Sequence, residues 1–489
     1  MTEPVQLQNL IGGRWREGRG GTTAASVNPA EPELVVASGT AADAGDLDDA
    51  VIAARAAAAD WSRTPAHERG AVLVRAAAVV EAAAGEWGPE LAQEEGKTRA
   101  EAIGEVLRAA HILRYHGQDA DREAGEVFAS PRRGERILVT RRPMGVVGVI
   151  TPFNFPIAIP AWKIAPALTY GNTVVWKPAG TVPLLATRLA EALVDAGLPD
   201  GVLNLLIGNG AIGAAISERA DVDAVTFTGS TGVGRRIAAS GALRGVSVQA
   251  EMGGKNAAVV LGDADIELAV DQVLAGAFRS TGQKCTATSR LIVTDDIAAD
   301  FLSLLGERVQ DLRVGNPMEE DTDLGPVITA DARQSIQKGV DTALTQGARR
   351  IVGGIAYDDG ELATGYYVPP TVLELSSNAP DLWRDELFGP VLAVRRAANA
   401  DQAFAMAADS EFGLSAAVFT QDLTRALQAV EELDVGVLHI NSESAGADPH
   451  VPFGGAKKSG LGPNEQGRAA REFFTHTSTV YLRGGRAGL

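Results

Sequence analysis

Apolar residues recur at three- and four-residue spacing through 46–61, "DLDDAVIAARAAAADW", and through 68–87, "ERGAVLVRAAAVVEAAAGEW". That period predicts two amphipathic helices. The pattern changes at 130–143, "SPRRGERILVTRRP", where a Gly turn precedes a strand-like run, 136–140. A hairpin projecting from the body is the simplest reading. From Val146 onward short β-rich runs alternate with helical stretches: "VVGVI", "TVVWK", "VLNLL", "DAVTF" and "VSVQAE", with helices beginning at Leu184 and Thr231 among them. Short strands separated by helices predict a parallel α/β sheet. A second α/β series follows Lys255: "NAAVVLG", a helix across 265–280, "LIVTDD", and so on to "GVLHIN". The late segment "THTSTVYLR" alternates like a strand. A strand needs a partner, and the earlier hairpin, of this or another subunit, can supply one.

Composition narrows the class. A chain of 489 residues exceeds one ordinary core, so two or three domains are expected. Hydrophobic residues make up 45%, enough for sizeable cores. There is no apolar run long enough to span a membrane and no basic-then-apolar leader pattern. A single cysteine excludes an intramolecular disulfide and fits the cytoplasm. The net charge of −18 argues against general nucleic-acid binding but permits a local basic pocket.

The lone thiol, Cys285, stands in "TGQKCTATS", residues 281–289. A buried structural thiol is one reading. The polar neighbours point instead to a loop after a helix, where functional groups tend to sit, and a thiolate attacks carbonyl carbon well. Lys284 would lower the thiol pKa if its ammonium folded back; if adjacent side chains diverge, it faces the substrate. Glu251 ends "VSVQAE" and precedes Gly253 and Gly254, which admit close approach of a ligand or chain. It is the candidate base, standing where α/β sheets bind ligands; the alternative is a surface Glu beside a turn. Asn154 lies between two phenylalanines in a loop stiffened by Pro152 and Pro156. Its amide could donate to a developing oxyanion or cap a turn. "FTGSTGVG" (227–234) sets Gly229, Gly232 and Gly234 between a strand and a helix, suited to phosphate at a helix N-terminus or to a plain turn. Lys177 ends "VVWK", within reach of a ribose or phosphate, or simply solvated. No metal-binding spacing is present, and no metal is expected.

Together "TPFNFP", "FTGSTGVG", "EMGGKN", "GQKC", "DELFGP" and "PFGGAKKSGLG" resemble, in order and approximate spacing, the NAD(P)-dependent aldehyde dehydrogenase superfamily. The resemblance runs over nearly the whole chain. It implies an α/β fold with three parts: a Rossmann-like cofactor domain (1–122 and 142–252), an α/β catalytic domain (253–467), and a small β oligomerisation element (123–141 and 468–489) of a homodimer or homotetramer. It implies an oxidoreductase acting on a small aldehyde. Cys285 would form a thiohemiacetal and then a thioester, Asn154 and the Cys285 backbone N–H would make the oxyanion hole, and Glu251 would activate water. Lys177 would meet the adenosine ribose, Ser230 a phosphate, and Glu386 and Phe388 the nicotinamide ribose and ring. Ile150, Thr151, Phe153, Gly180, Gly210, Phe227, Gly229 and Met252 complete the implied cofactor positions.

One departure bears on the cofactor. Many NAD-preferring members carry Glu three residues after the lysine, where this chain has Gly180. Losing that carboxylate removes a barrier to a 2′-phosphate, so NADP should be accepted as well as NAD, with a preference for NADP open to it. By resemblance the substrate tunnel comprises Arg108, Phe155, Ile159, Trp162, Lys284, Thr286 and the loop 443–453, with Phe453. Arg108 and Lys284 are cations where an apolar lining is common. If they face the tunnel rather than solvent, they call for an anionic partner, and a semialdehyde with a distal carboxylate follows. The tail "SAGADPHVPFGGAKKSGLGPNEQG" also resembles 2-oxoglutarate semialdehyde (2,5-dioxopentanoate) dehydrogenases. Rival readings are a general aliphatic or aromatic aldehyde dehydrogenase, a Cys285 esterase without redox chemistry, and a binding protein that has lost its chemistry. The cofactor-loop motifs oppose the esterase, and the joint presence of Cys285, Glu251 and Asn154 opposes the last.

Overall fold

The computed structural model describes residues 3–122, 125–376 and 380–484. An eight-stranded sheet holds, in spatial order, the parallel strands Ser247–Glu251, Ala224–Thr228, Val146–Ile150, Thr173–Lys177 and Leu203–Leu205. These are the β-rich runs of the sequence pattern. Four of them are buried along their whole length and Ser247–Glu251 from Gln249 on, as a parallel sheet covered by helices requires. The chain grows first to one side of Val146–Ile150 and then returns to the other. That reversal opens a crevice beyond the carboxyl ends of the strands, where such sheets bind ligands.

The sheet's edges were not legible. On one side lie Asn9–Ile11 and Arg14–Arg16, joined through Gly12 and Gly13 at φ 59 and 78. On the other, Gly460–Leu461 pairs antiparallel with Ala250 and Glu251. That strand comes from the stretch expected to belong to the catalytic domain, so the chain crosses back before its end. A second, seven-stranded sheet runs in the order Arg349–Val352, Thr371–Glu374, Val391–Ala397, Thr288–Thr294, Asn256–Val260, Ser415–Phe419 and Val437–Ile440.

The helix expected across 68–87 is two helices, Ala66–Ala82 and Ala84–Glu95. Ala83, at ψ −2, breaks the ladder between them. The break lets Gly88 meet the next helix, Arg99–Asp119: a Cβ on Gly88 would lie 2.4 Å from Ile103 Cγ1. The capped helix Ala44–Arg63 matches its pattern more closely, with Asp43 and Asp46 forming a reciprocal capping box.

The hairpin strands Gly125–Ala129 and Glu135–Pro143 project as expected, but the terminal strand Thr475–Arg483 finds its partner within the chain. It pairs with Glu135–Pro143 continuously from Thr475↔Pro143 to Arg483↔Glu135, so no second subunit is needed to complete it. Phe473 and Phe474 pack into the core under the first sheet, so the body extends past residue 468. Of the oligomerisation element, residues 123–124 and 485–489 lie outside the described residues. Among those described, no helix is long and apolar enough to cross a membrane.

Candidate active site

Strand register gathers the expected cofactor positions at one edge. Ile150 pairs with Lys177 on one side and with Phe227 on the other, and Thr228 pairs with Glu251. Beyond these strand ends lie Thr151, whose hydroxyl accepts from Trp176 Nε1 at 3.0 Å, and Phe153, edge-to-face with Phe388 at 5.8 Å. Ser230 is the N-cap of Thr231–Arg244, but its hydroxyl makes no capping bond. Gly210 opens Gly210–Glu218 with empty space over its Cα, and Gly180 has only the Gly208 carbonyl at 3.4 Å from a would-be Cβ. The Glu386 carboxylate accepts from Gly254 N at 3.1 Å, and burial raises its pKa to about 7.

Two glycines expected to cradle phosphate also answer to packing. A Cβ on Gly229 would lie 2.6 Å from the Phe227 ring, and one on Gly234 would lie 2.6 Å from Met252 Sδ. They make room for the hydrophobic floor of the crevice; of the three, Gly232 alone is open. The crevice nevertheless fits a dinucleotide. The Lys177 ammonium is buried without a hydrogen-bond partner among the described residues, and burial lowers its pKa to about 8. A buried cation left this way calls for anionic or hydroxyl oxygens, and the uncapped N-terminus at Ser230 favours phosphate.

Cys285 follows the helix Ile266–Phe278 and a tight turn in which Ser280, Thr281 and Gly282 all take positive φ, 53, 52 and 68. At Gly282 a Cβ would meet the Gly389 carbonyl at 2.3 Å, so only glycine fits. Asn256 locks the loop from below, its amide donating to the carbonyls of Cys285 at 2.7 Å and Ala287 at 2.9 Å. Asn154 donates through Nδ2 to Gln283 O at 2.9 Å, which fixes the amide next to the thiol loop and leaves its second N–H.

The thiol is not activated in the way that Lys284 suggested. Burial, then Glu386 and Glu251, push Cys285 up to about 12, against help from the backbone N–H groups of Thr286 and Cys285. The Lys284 ammonium instead donates to Ala275 O at 3.2 Å and lies 3.8 Å from Glu443. Glu251 is buried and accepts from Gly455 N at 3.0 Å. Burial and neighbouring Glu465 raise its pKa well above the carboxylate range, while Lys163 opposes them. Lys163 bonds both Glu465 and, at 2.9 Å, Thr226 Oγ1.

All the expected tunnel residues line one cavity of about 320 Å³: Arg108, Phe155, Ile159, Trp162, Lys284, Thr286 and Phe453, together with Cys285. The Trp162 and Phe453 rings lie 5.6 Å apart, tilted by 37°, and form an apolar wall. Neither cation simply points to solvent: Lys284 is 7% exposed and Arg108 is half-buried. Glu443, which opens the expected loop 443–453, lines the cavity too, as do Lys97, Glu101, Glu105 and Arg279, which were not expected there: the charges of the helix Arg99–Asp119 read as a solvated face. Asn256 was visible in "EMGGKN" but carried no recognised task. Among the described residues no cluster of His, Cys, Asp and Glu could hold a metal.

The aldehyde dehydrogenase family model matches residues 15–480. An alpha-ketoglutaric semialdehyde dehydrogenase of Bacillus subtilis is 40% identical over 484 residues, 99% of either chain. A 2,5-dioxopentanoate dehydrogenase of Saccharolobus solfataricus is 38% identical, covering 96% of this chain and 98% of its own. The structure of betaine aldehyde dehydrogenase from Staphylococcus aureus in complex with NAD+ superposes with a TM-score of 0.94 at 32% identity, covering 97% of this chain and 95% of that one. With these matches along its length, the chain belongs to the aldehyde dehydrogenase family.

Proposed function

We propose that the protein oxidises a semialdehyde carrying a distal carboxylate, of the 2-oxoglutarate semialdehyde kind, to the dicarboxylate. The observation that carries this reading is the single cavity shared by Cys285 and Arg108. Arg108 forms no hydrogen bond or close ion pair among the described residues; Asp448 acts on it only at a distance. Arg279 and Lys284, by contrast, both lie against Glu443. Arg108 is thus the cation with a charge to share, and the names of the two relatives support a carboxylated semialdehyde.

Cys285 Sγ adds to the aldehyde carbon, the carbonyl π pair moves onto the oxygen, and the thiol proton passes to water. The Asn154 amide and the Cys285 N–H steady the oxygen that gains charge. When bound, the dinucleotide supplies the two-electron acceptor. Lys177 and Ser230 would hold its ribose and phosphate, Glu386 and Phe388 its nicotinamide end, over the floor made by Phe227 and Met252. The resulting thioester is cleaved by water whose proton Glu251 takes. The first sheet brings Lys177, Asn154 and Glu251 to its strand ends, and the second carries the loops of Cys285 and of Glu386 and Phe388. The projecting arm, with Val127 and Tyr481 exposed, serves assembly into a homodimer or homotetramer, and one unpaired thiol suits the cytoplasm.

Arg108→Met is expected to raise KM for a carboxylated semialdehyde by about ten- to a hundredfold, the worth of a charged hydrogen bond. KM for a neutral aldehyde of equal length should stay within about twofold. Equal losses for both substrates would refute the anchor. For the cofactor, no carboxylate stands at Gly180 to repel a 2′-phosphate, and the partnerless Lys177 favours one. NADP is therefore expected to be accepted beside NAD, with kcat/KM for the two within about a hundredfold. An NAD preference of about a hundredfold would overturn this, because that discrimination requires the repulsion that Gly180 lacks.

A further inference from the structure

The segment 95–105 is rich in charge, and the reaction outlined above uses none of it. Lys97 is 2% exposed, and its ammonium donates to Glu105 Oε2 at 2.6 Å and to the Asn154 carbonyl at 2.8 Å. It also stands 4.2 Å from the centre of the Phe155 ring. The other Glu105 oxygen accepts from Ile157 N at 3.1 Å and Ala158 N at 3.2 Å. Those donors open the helix Ala158–Thr169, which makes no side-chain cap of its own and carries Ile159 and Trp162. One turn earlier, Glu101 accepts from Ser280 N at 2.7 Å, at the start of the left-handed turn that leads to Cys285. One short segment therefore grips both loops that must meet across the reacting carbon.

We propose that Lys97 and Glu105 are positioning residues that set the Asn154 amide against Cys285, with Glu101 fixing the thiol side of the same alignment. The physical case rests on which groups are held. Lys97 fixes the carbonyl of Asn154 itself, and Glu105 fixes the backbone that follows it. The residue's remaining freedom is its side chain, and that is tied to Gln283. A donor aimed where charge develops works only if it is fixed beforehand, and a displacement of about 1 Å can cost a hundredfold in rate. A buried ammonium holds a carbonyl by a charge-assisted bond, stiffer than a neutral one. The pair also lines the substrate cavity, where a loose loop would let water and substrate displace the amide.

The inference rests on the reading of Asn154 as the oxyanion donor, and the test separates the two. Lys97→Met leaves Glu105 and Glu95 without their cation and could fail to fold, so Lys97→Met/Glu105→Gln, which removes both charges, is measured beside it. In the wild-type background these variants are expected to lower kcat by about tenfold to a hundredfold with KM within about threefold. Alkylation of Cys285 by iodoacetamide, which needs no oxyanion donor, should keep its rate. In an Asn154→Ala background the same changes should cost less than about twofold, because the donor they position is gone. If Asn154→Ala alone leaves kcat intact, the oxyanion reading fails. If Asn154→Ala is impaired but the Lys97 variants lower kcat equally in both backgrounds, the positioning role is overturned. A parallel fall in alkylation rate would likewise overturn it, by showing a general structural loss.

Discussion

Cys285→Ala is expected to lower aldehyde oxidation by about 10⁴-fold or more with either dinucleotide, the scale seen when a covalent nucleophile is removed. The fold should tolerate the change. The loop is held through the carbonyls of Cys285 and Ala287 on Asn256, and through Ser444 Oγ on the Thr286 carbonyl at 2.7 Å, none of which involves the sulfur. Gly282 and the left-handed Ser280 and Thr281 set the turn, whatever stands at 285. Thermal unfolding and dinucleotide binding should therefore match wild type, and only the chemistry should vanish. Hydrolysis of an activated ester should fall with it, since both reactions need the same sulfur. Oxidation that survived in the alanine variant would mean that the aldehyde is oxidised as its hydrate, without a covalent stage. The resting thiol makes the point sharper: burial and two carboxylates push it up to about 12, so a cation or a polarised carbonyl entering the cavity would favour its attack.

Much of this arrangement is written in local sequence, and the reasons are specific. The five central strands are short β-rich runs bounded by turns, Val-rich in "VVGVI" and "TVVWK". Glu251 and Lys177 are strand-terminal, so finding the strands found the residues. Cys285 stood out because it is single. What stayed hidden depends on packing. The break at Ala83 goes with the close approach of Gly88 to Ile103 and has no local signal. The terminal strand could have paired with any exposed edge, and only the nine-residue register with Glu135–Pro143 decides it. Gly229 and Gly234 looked like phosphate glycines because the strand–turn–helix setting is the same whether a glycine admits a ligand or a neighbouring side chain. Lys97, Glu101 and Glu105 look like a solvated helix face in "EEGKTRAEAIGEV". Their burial is set by loops from elsewhere in the chain, at Asn154 and Ser280, and no period of three or four residues carries that information.

Glu251→Gln should divide the reaction into its halves. Mixing enzyme, aldehyde and dinucleotide is expected to give one equivalent of reduced dinucleotide rapidly, followed by steady turnover slower than wild type by about 10²–10⁴-fold, the usual worth of a general base. Glutamine keeps the volume of the side chain and an oxygen for the Gly455 N–H, so the local structure has no reason to change. It cannot take a proton from water, so the thioester on Cys285 should accumulate, and mass spectrometry should find the acyl group there. The pH profile gives the matching sign. Burial and Glu465 hold Glu251 well above the ordinary carboxylate range, with Lys163 pulling the other way. At the acid end the group carries its proton and cannot act as a base. Wild-type turnover should therefore rise with pH along a limb lying above the range of a free carboxylic acid, and the glutamine variant should lose that limb. A variant with no burst would place Glu251 in the first half, taking the proton from the thiol. A variant with full turnover would remove it from the mechanism and pass the task to Glu386, the other carboxylate acting on Cys285, whose raised pKa of about 7 would then set the same limb.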